Sequence, residues 1–254
     1  MTEVPNTLLG KVMSVLNAFG ADDDELGFAE LGRRTALPKA TLHRLLGDLA
    51  EARLLDRGTR GYRLGGHLFQ LGMRASVERR LVEVSTPYLE DLYERTHETV
   101  HLGILEGHEV VYAAKIGGHR QASSPSRLGG RMPLHATAIG KALLAHAVPS
   151  VRTSVLSAPL TRRTPRTVVT PGMLRRQLAT IRQTGVAYEF EESRVGLACV
   201  ASPVLGHEGE VVAAVSVAGP VTRFDPRAHA TSVHAAATGI ALTLIRRATL
   251  SSGG

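Results

Sequence analysis

Four leucines in the segment 37–49 recur at the spacing of one helical face, and this pattern most constrains what the chain can fold into. They stand at positions i, i+3, i+4 and i+7, so a helix would bury all four on one side: Leu42, Leu45, Leu46 and Leu49. The opposite side carries small and basic residues: Lys39, Ala40, Thr41, His43 and Arg44. Such a set suits the DNA major groove, because Arg can hydrogen-bond a guanine edge bidentately while Thr and Lys reach bases or phosphates. An ordinary amphipathic surface helix fits the same pattern.

The flanking segments favour the DNA-binding interpretation. Residues 28–36 predict a short helix that ends before Pro38, since proline is tolerated only in the first turn of the next helix. Two short helices joined by a tight turn form a helix-turn-helix. Residues 53–64 predict two short strands around a glycine-containing turn, as in a wing that lies along the phosphate backbone. The wing would hold phosphates with three arginines: Arg57, Arg60 and Arg63.

Positive charge is concentrated in two stretches of the chain. Residues 33–80 contain eleven Lys or Arg and four acids, which fits a DNA-facing region. Residues 110–188 contain twelve Lys or Arg and no Asp or Glu. The second stretch indicates either a solvated basic surface, or a field that favours an anionic small ligand or further contact with the DNA backbone.

The cellular compartment is predicted from cysteine usage and from apolar runs. The single cysteine, Cys199, permits no intramolecular disulfide and fits a reducing cytoplasm. No apolar run reaches the roughly 18 residues of a membrane span. Residues 1–5 lack the basic and apolar regions of a secretory signal. We therefore expect a cytoplasmic protein with no membrane partner.

Helical and strand periodicities predict two domains joined by a helix. A first helix is expected over residues 6–19, and a new helix is expected to begin at Pro87. Beyond it the pattern predicts two hairpins and three longer helices: 99–114 and 199–218, then 133–147, 171–184 and 226–247. This mixture indicates an α+β fold. The expected division is a winged helix-turn-helix domain, a linker helix, a second domain and a flexible tail: 1–66, 67–83, 84–248 and 249–254.

Four segments together resemble the IclR family of bacterial transcriptional regulators. They occur in the family's order and the resemblance covers nearly the whole chain: 37–46, 130–144, 191–204 and 216–220. It implies an N-terminal winged helix-turn-helix, a linker helix and a C-terminal effector-binding domain related to the GAF fold. It also implies a homodimer, or a homotetramer built as a dimer of dimers, that binds double-stranded operator DNA and responds to a small metabolite. We expect repression, although the sign of regulation depends on where the operator lies.

The resemblance also implies which residues contact the effector. Ala138 and Ile139 would offer backbone amides to a carboxylate or carbonyl, which agrees with the unpaired N–H groups of a helix that starts at Pro133. Glycines that merely permit a turn and close helix packing would explain the same segment. The other implied contacts are side chains: Met132, Glu189, Cys199, Ser216 and Ala218. Glu189 stands where a shorter Asp can occur and Ala218 where a hydroxyl can occur, so effector identity does not transfer.

Two other classes of function stay open at this point. One is an enzyme that processes a small molecule and carries a fused helix-turn-helix, with Cys199 as nucleophile, although the sequence places no histidine beside it. The other is an architectural DNA-binding dimer without a ligand. No cofactor is expected, and no metal, because His97 and His101 straddle a predicted helix-to-strand junction.

The three glutamates near the second hairpin are assigned different surroundings. Alternation along a strand lets Glu189 point inward, where it would need a partner, and the acid-free stretch before it offers cationic candidates. Glu191 and Glu192 are expected to form a solvated turn.

Overall fold

A computed structural model of the protein describes residues 7–117 and 125–251. Its contacts divide the chain into two compact units, Met1–Arg79 and Arg80–Gly254. Within the described ranges, no helix is long and apolar enough to cross a membrane. Residues 118–124, between the first predicted hairpin and the helix predicted at 133–147, lie outside these ranges, as do residues 252–254 of the predicted tail.

The N-terminal unit is a winged helix-turn-helix. Its elements are α1 (Leu8–Leu16), α2 (Phe28–Thr35), α3 (Lys39–Glu51), β1 (Leu55–Arg57), β2 (Tyr62–Leu64) and α4 (Gly66–Gly72). The four leucines of α3 are at most 3% exposed and pack with Val15, Leu31 and Leu55, which confirms the predicted buried face. Ala36 ends α2 in the left-handed conformation (φ 54°), and Pro38 lies immediately before α3. This short turn holds the two helices of the motif together.

The helical segment after the wing differs from the prediction. Helix α4 is followed by a turn and by α5 (Ser76–Thr96), a single helix that contains Pro87. The prediction of a new helix beginning at Pro87 is therefore wrong. Leu81 and Val84 before the proline, and Leu89 after it, are all buried in one core cluster. Burial on both sides of Pro87 offsets the lost backbone hydrogen bond and keeps the helix continuous.

The C-terminal unit is built on a six-stranded antiparallel sheet in the order β5-β4-β3-β8-β7-β6. The strands are β3 (Thr99–Glu106), β4 (Glu109–Ile116), β5 (Arg131–Pro133), β6 (Ala187–Phe190), β7 (Leu197–Leu205) and β8 (Val211–Pro220). Both predicted hairpins are present, as β3-β4 and β7-β8. The described residues thus have the expected α+β architecture.

Helices cover both faces of the sheet. In addition to α5, the helices of this unit are α6 (Ala138–His146), α7 (Pro149–Ser157), α8 (Pro171–Thr184) and α9 (Ala230–Ser251). Helices α6 and α8 share one apolar core with the sheet, while α5 and α9 share the other. The bounds of α8 match the prediction. Helix α7 was not predicted, because Val155 is its only buried residue and its apolar pattern is weak.

Two of the helices predicted in this unit have different bounds in the structure. The helix expected to start at Pro133 starts at Ala138, because Pro133 ends β5 and residues Leu134–Ala136 form a 3-10 turn. Helix α9 begins at Ala230 and not at residue 226, and it extends to Ser251 and not only to residue 247, so residues 249–251 of the predicted tail are helical.

Candidate DNA-contacting surface and effector cavity

The outward face of α3 carries the residues predicted to read DNA. Lys39, Ala40, His43 and Arg44 are exposed, and Thr41 is half-buried. Arg44 lies 3.6 Å from Asp48 one turn further along, and both side chains are more than half exposed. Because the buried leucines fix the opposite face, these side chains project from the unit as one surface.

The three wing arginines are exposed but do not share one side of the hairpin. Arg57 pairs with Tyr62 and Arg63 pairs with Asp56 in the β1-β2 register, so Arg57 and Arg63 point to opposite sides. Arg63 is also 3.6 Å from the Asp56 carboxylate. Arg60 lies in the turn that joins the two strands, where Gly58 N donates to Gly61 O over 2.8 Å.

Glu25 supports this turn, and sequence reasoning missed it. Its Oε2 accepts a hydrogen bond from the Arg60 backbone N–H over 2.8 Å, from 35 residues earlier in the chain. A Cβ on Gly58 would overlap the Glu25 carboxylate, so the glycine permits this close approach. Within the sequence Glu25 belongs to an acidic loop, and no local pattern distinguishes it from its neighbours.

Part of the positive charge near the helix-turn-helix is neutralised within the unit. Arg33 donates to Glu30 over 2.6 Å, and Arg34 donates to Glu30 over 2.7 Å and also pairs with Asp23. Hydrogen bonds from Arg33 and Arg34 lower the pKa of Glu30 to about 2. The arginines of α2 are therefore less available to phosphates than the exposed arginines of the wing.

Most of the residues implied to bind an effector converge on one small enclosed cavity in the C-terminal unit. Six of the seven line it: Met132, Ile139, Glu189, Cys199, Ser216 and Ala218. Strand register explains the convergence, because Glu189 pairs with Cys199 and Cys199 pairs with Ala218 across β6, β7 and β8. The seventh, Ala138, is buried in the first turn of α6 and does not line the cavity. The space open to a water molecule is about 10 Å³, so an organic ligand requires the walls to move apart.

The start of α6 presents backbone amides near this cavity. Thr137 caps the helix by accepting from Gly140 N over 3.0 Å, and its carbonyl accepts from Lys141 N. In the described part of the chain no acceptor engages the amides of Ala138 and Ile139, as expected at a helix start. Close packing is also present, since a Cβ on Gly140 would lie 2.5 Å from Leu134 O.

Glu189 is 2% exposed and points into the cavity wall, as the strand alternation predicted. The expectation that a cationic side chain is the partner of Glu189 is wrong. Glu189 Oε1 instead accepts hydrogen bonds from Ser193 N over 2.8 Å and from Ser193 Oγ over 2.5 Å. Burial raises the pKa of Glu189 to about 7, although these hydrogen bonds and the charge of Lys141 oppose the shift. A proton on this carboxyl is therefore available near neutral pH.

His101 lines the same cavity and was not singled out by sequence reasoning as an effector contact. It hydrogen-bonds to Ser126 Oγ through Nε2 over 2.6 Å and to Ser216 Oγ through Nδ1 over 3.4 Å. Burial, helped by the charge of Lys115, lowers its pKa to about 3, so the ring is neutral. The ring of Tyr112 lies 5.1 Å from it, centroid to centroid. His101 pairs with Ser216 across β3 and β8. The sequence could not place His101 in the cavity, because this pairing depends on the order of the strands in the sheet.

The described residues form neither a cluster of metal ligands nor an activated thiol. His97 follows the end of α5 and is exposed, whereas His101 lies in β3, and no group of metal-binding side chains occurs in the described ranges. Cys199 and His101 do line one cavity, which the sequence did not predict. Burial raises the pKa of the Cys199 thiol, which is the opposite of the lowered pKa that activates a nucleophilic cysteine.

Glu192 is buried, so the prediction that Glu191 and Glu192 form a solvated turn is wrong for this residue. Lys141 Nζ, on a side chain that is 1% exposed, donates to Glu192 Oε1 over 2.6 Å and to Gln177 Oε1 over 3.2 Å. Glu191 does stay near the surface, where it lies 3.1 Å from Arg166. The buried partner of Glu192 is 51 residues away in sequence, beyond the reach of a local pattern.

Two family models match the chain. The "IclR helix-turn-helix domain" matches residues 8–58, and the "Bacterial transcriptional regulator IclR C-terminal" model matches residues 73–242. Among curated proteins, the HTH-type transcriptional regulator XynR of Escherichia coli is 36% identical over 218 residues, which is 85% of this chain and 86% of that protein. The HTH-type transcriptional regulator KdgR of Dickeya chrysanthemi is 35% identical over 217 residues, which is 84% of this chain and 71% of that protein.

Solved structures give the same result over nearly the full length. An IclR homolog from Microbacterium hydrocarbonoxydans, crystallised with 4-hydroxybenzoate, is 36% identical, with a TM-score of 0.87 over 95% of this chain and 100% of that chain. The IclR protein of Thermotoga maritima is 29% identical, with a TM-score of 0.72 over 93% of this chain and 98% of that chain.

Proposed function

Because this chain belongs to the IclR family of bacterial transcriptional regulators, we propose that it binds operator DNA as a homodimer and that a small carboxylate effector controls this binding. It is a DNA-binding regulator, and the enzyme alternative has no support among its relatives. The observation that carries the effector proposal is the convergence of six side chains from β5, α6, β6, β7 and β8 on one cavity. A regulator that binds DNA acts in the cytoplasm, and one relative is named a transcriptional repressor, so we assign repression to this chain as well.

In this proposal the exposed face of α3 reads base edges while the wing holds the backbone. Arg44 is the base-reading side chain, joined by Lys39, Thr41 and His43 on the same face, and Ala40 sits at the groove floor. Arg57, Arg60 and Arg63 neutralise phosphates from both sides of the wing. A homodimer would then read two half-sites about 34 Å apart, or a multiple of that distance.

The homodimer rests on exposed apolar side chains of the N-terminal unit. Leu9 on α1 is 70% exposed, Phe69 on α4 is 72% exposed and Val77 on α5 is 74% exposed. Large apolar side chains that stand in water are available for burial in a protein interface. Burial of these side chains against a second copy stabilises a dimer, and a homotetramer would pair two such dimers.

We propose domain limits of 1–66 for DNA binding, 67–83 for the linker and 84–248 for the effector domain.

The effector is assigned to the carboxylate class from the donors around the cavity. The amides of Ala138 and Ile139 lie at the positive end of α6, which favours a negative charge. Glu189, when protonated, donates to an oxygen acceptor, and neutral His101 and the Ser216 hydroxyl add polar contacts. Cys199, Met132 and Ala218 supply the apolar wall. The relative that binds 4-hydroxybenzoate supports this class without fixing the identity of the ligand.

A fluorescence-anisotropy titration tests the proposal directly. The protein is titrated onto labelled DNA that flanks its own gene and onto random DNA of equal length, alone and with a panel of small carboxylic acids. Each active acid is compared with its primary amide, which nearly keeps the shape and loses the charge. We expect specific binding that one acid changes and its amide does not. Binding equal on both DNAs contradicts operator recognition, and an amide as active as its acid contradicts the carboxylate assignment.

A further inference from the structure

A second cavity lies in the C-terminal unit, between α8 and the edge strand β6. Its volume is about 340 Å³, within the range of small-molecule sites. None of the residues that line the effector cavity lines this one. The two cavities are therefore distinct, although both involve α6: Ile139 lines the effector cavity and Lys141 lines the second one.

The polar end of the second cavity holds a buried carboxylate with unused hydrogen-bonding capacity. Glu192, a lining residue that is 6% exposed, uses Oε1 to accept from Lys141. Its Oε2 is enclosed and has no hydrogen-bond partner among the described residues. An enclosed acceptor without a donor is costly, by the full desolvation of that group. A small shift of the enclosing side chains would open Oε2 to the cavity, and a ligand donor placed against it would then remove this cost.

The remaining walls are largely apolar. The rings of Tyr188 and Phe190 stack at a centroid distance of 6.3 Å, and Ile181 and Val186 extend the apolar surface. Thr180 and Thr184 also line the cavity, and their hydroxyls donate to backbone carbonyls of α8. The Arg227 guanidinium lies over the Phe190 ring, 5.1 Å from its centroid, where it makes a cation–π contact. Since the cavity combines an apolar wall with one unsatisfied acceptor, it suits a ligand that has an apolar body and one hydrogen-bond donor.

We infer that this cavity is a second ligand site, which binds a compact apolar or aromatic molecule that carries a hydroxyl or amino donor. The donor meets Glu192 Oε2, and the apolar body packs on Tyr188, Ile181 and Val186. A carboxylate is disfavoured here, because it would place acceptor against acceptor and Lys141 already has Glu192 and Gln177 as partners. The chemistry is thus the reverse of that proposed for the effector cavity, and the inference does not depend on it.

Four probes of similar size test the inference on the full-length protein. Binding of benzyl alcohol, benzylamine, toluene and benzoate is measured by calorimetry and by thermal shift. We expect the two donor-bearing probes to bind about tenfold or more tightly than toluene, the value of one hydrogen bond to a charged acceptor. Absence of binding by both donor-bearing probes, or equal binding of toluene, overturns the inference.

Two cavity-filling variants locate the bound probe. Val186→Phe fills the second cavity from its half-exposed rim, and Ala218→Leu fills the effector cavity. We expect benzyl alcohol affinity to fall at least tenfold in Val186→Phe and to stay within twofold in Ala218→Leu. The opposite pattern places the probe in the effector cavity and overturns the inference. Glu192→Gln, if circular dichroism shows it folded, is expected to remove the preference for benzyl alcohol over toluene.

Discussion

Lys141 and Glu192 form a buried ion pair at 2.6 Å between the middle of α6 and the turn after β6. Their side chains are 1% and 8% exposed. Lys141 Nζ also donates to Gln177 Oε1, and Thr167 Oγ1 donates to the backbone carbonyl of Glu192. This pair joins the helix that lines the effector cavity to the turn that carries Ser193, the partner of Glu189. The ion pair therefore fixes the position of α6 relative to this turn, and both contribute to the walls of the effector cavity.

Removal of one member of this pair should destabilise the protein strongly. We expect Lys141→Met to lower the free energy of unfolding by about 3–5 kcal/mol, because it leaves Glu192 charged and buried without a partner. Urea unfolding measures the change. The double variant Lys141→Met with Glu192→Leu should recover most of it, since an apolar pair replaces a desolvated one. The pair Arg166–Glu191, in which the Arg166 side chain is 66% exposed, is the control, and Arg166→Ala should cost at most about 1 kcal/mol. Equal effects of both single variants would show that burial of the pair has no energetic role.

Arg44 should help to select the base sequence that the protein binds, whereas Arg60 should contribute affinity that does not depend on sequence. We expect Arg44→Ala to cost about 1–3 kcal/mol on operator DNA and to relax specificity at one base position, because its contact is to a base edge. Arg60→Ala should weaken binding to operator and random DNA alike and reduce the slope of log affinity against log salt by about one. Anisotropy titrations over a salt series measure both quantities. A loss by Arg44→Ala that is the same on both DNAs would contradict base reading.

Glu25 should assist DNA binding in spite of its negative charge. Its carboxylate holds the Arg60 backbone N–H and packs against Gly58, so Glu25→Ala should loosen the wing turn and lower operator affinity about three- to tenfold. Asp24→Ala is the matched control, because it removes the same charge from the same loop. Charge alone predicts equal or tighter binding for both variants. Tighter binding by Glu25→Ala would therefore show that the contact does not position the wing.

Features that depend on a local sequence pattern could be predicted from the sequence, whereas contacts between distant segments could not. Leu42 and its neighbours were predictable because a helical face is a local periodic pattern, and α8 was predictable because Pro171 starts it and Gly185 ends it. Glu25 and Glu192 were not, since their partners lie 35 and 51 residues away. The helix break expected at Pro87 failed because buried residues on both sides of the proline override its local preference. The effector-lining residues came from family resemblance, while the place of His101 beside Ser216 needed the strand order.

The raised pKa of Glu189 should appear in the pH dependence of stability. Burial raises this pKa from its usual 4.5 to about 7, so between these values the folded protein keeps a proton that the unfolded chain releases. Stability then falls as pH rises across this window. Relative to Glu189→Gln, which keeps an oxygen for Ser193, the wild type should lose on the order of 3 kcal/mol between pH 4 and pH 8. Urea unfolding of both proteins at several pH values measures the difference, and parallel curves would contradict a raised pKa.

Filling the effector cavity should separate effector response from DNA binding. Ala218 lies beside Cys199 in the strand register and is 3% exposed, so a larger side chain at this position must occupy the cavity. We expect Ala218→Leu to weaken effector affinity at least thirtyfold, while operator affinity without effector stays within twofold. Overpacking should lower the free energy of unfolding by about 1–3 kcal/mol, which leaves a folded protein to measure. Val186→Phe, which fills the other cavity, should respond to effector as the wild type does. An effector response that survives in Ala218→Leu would place the effector elsewhere in the protein.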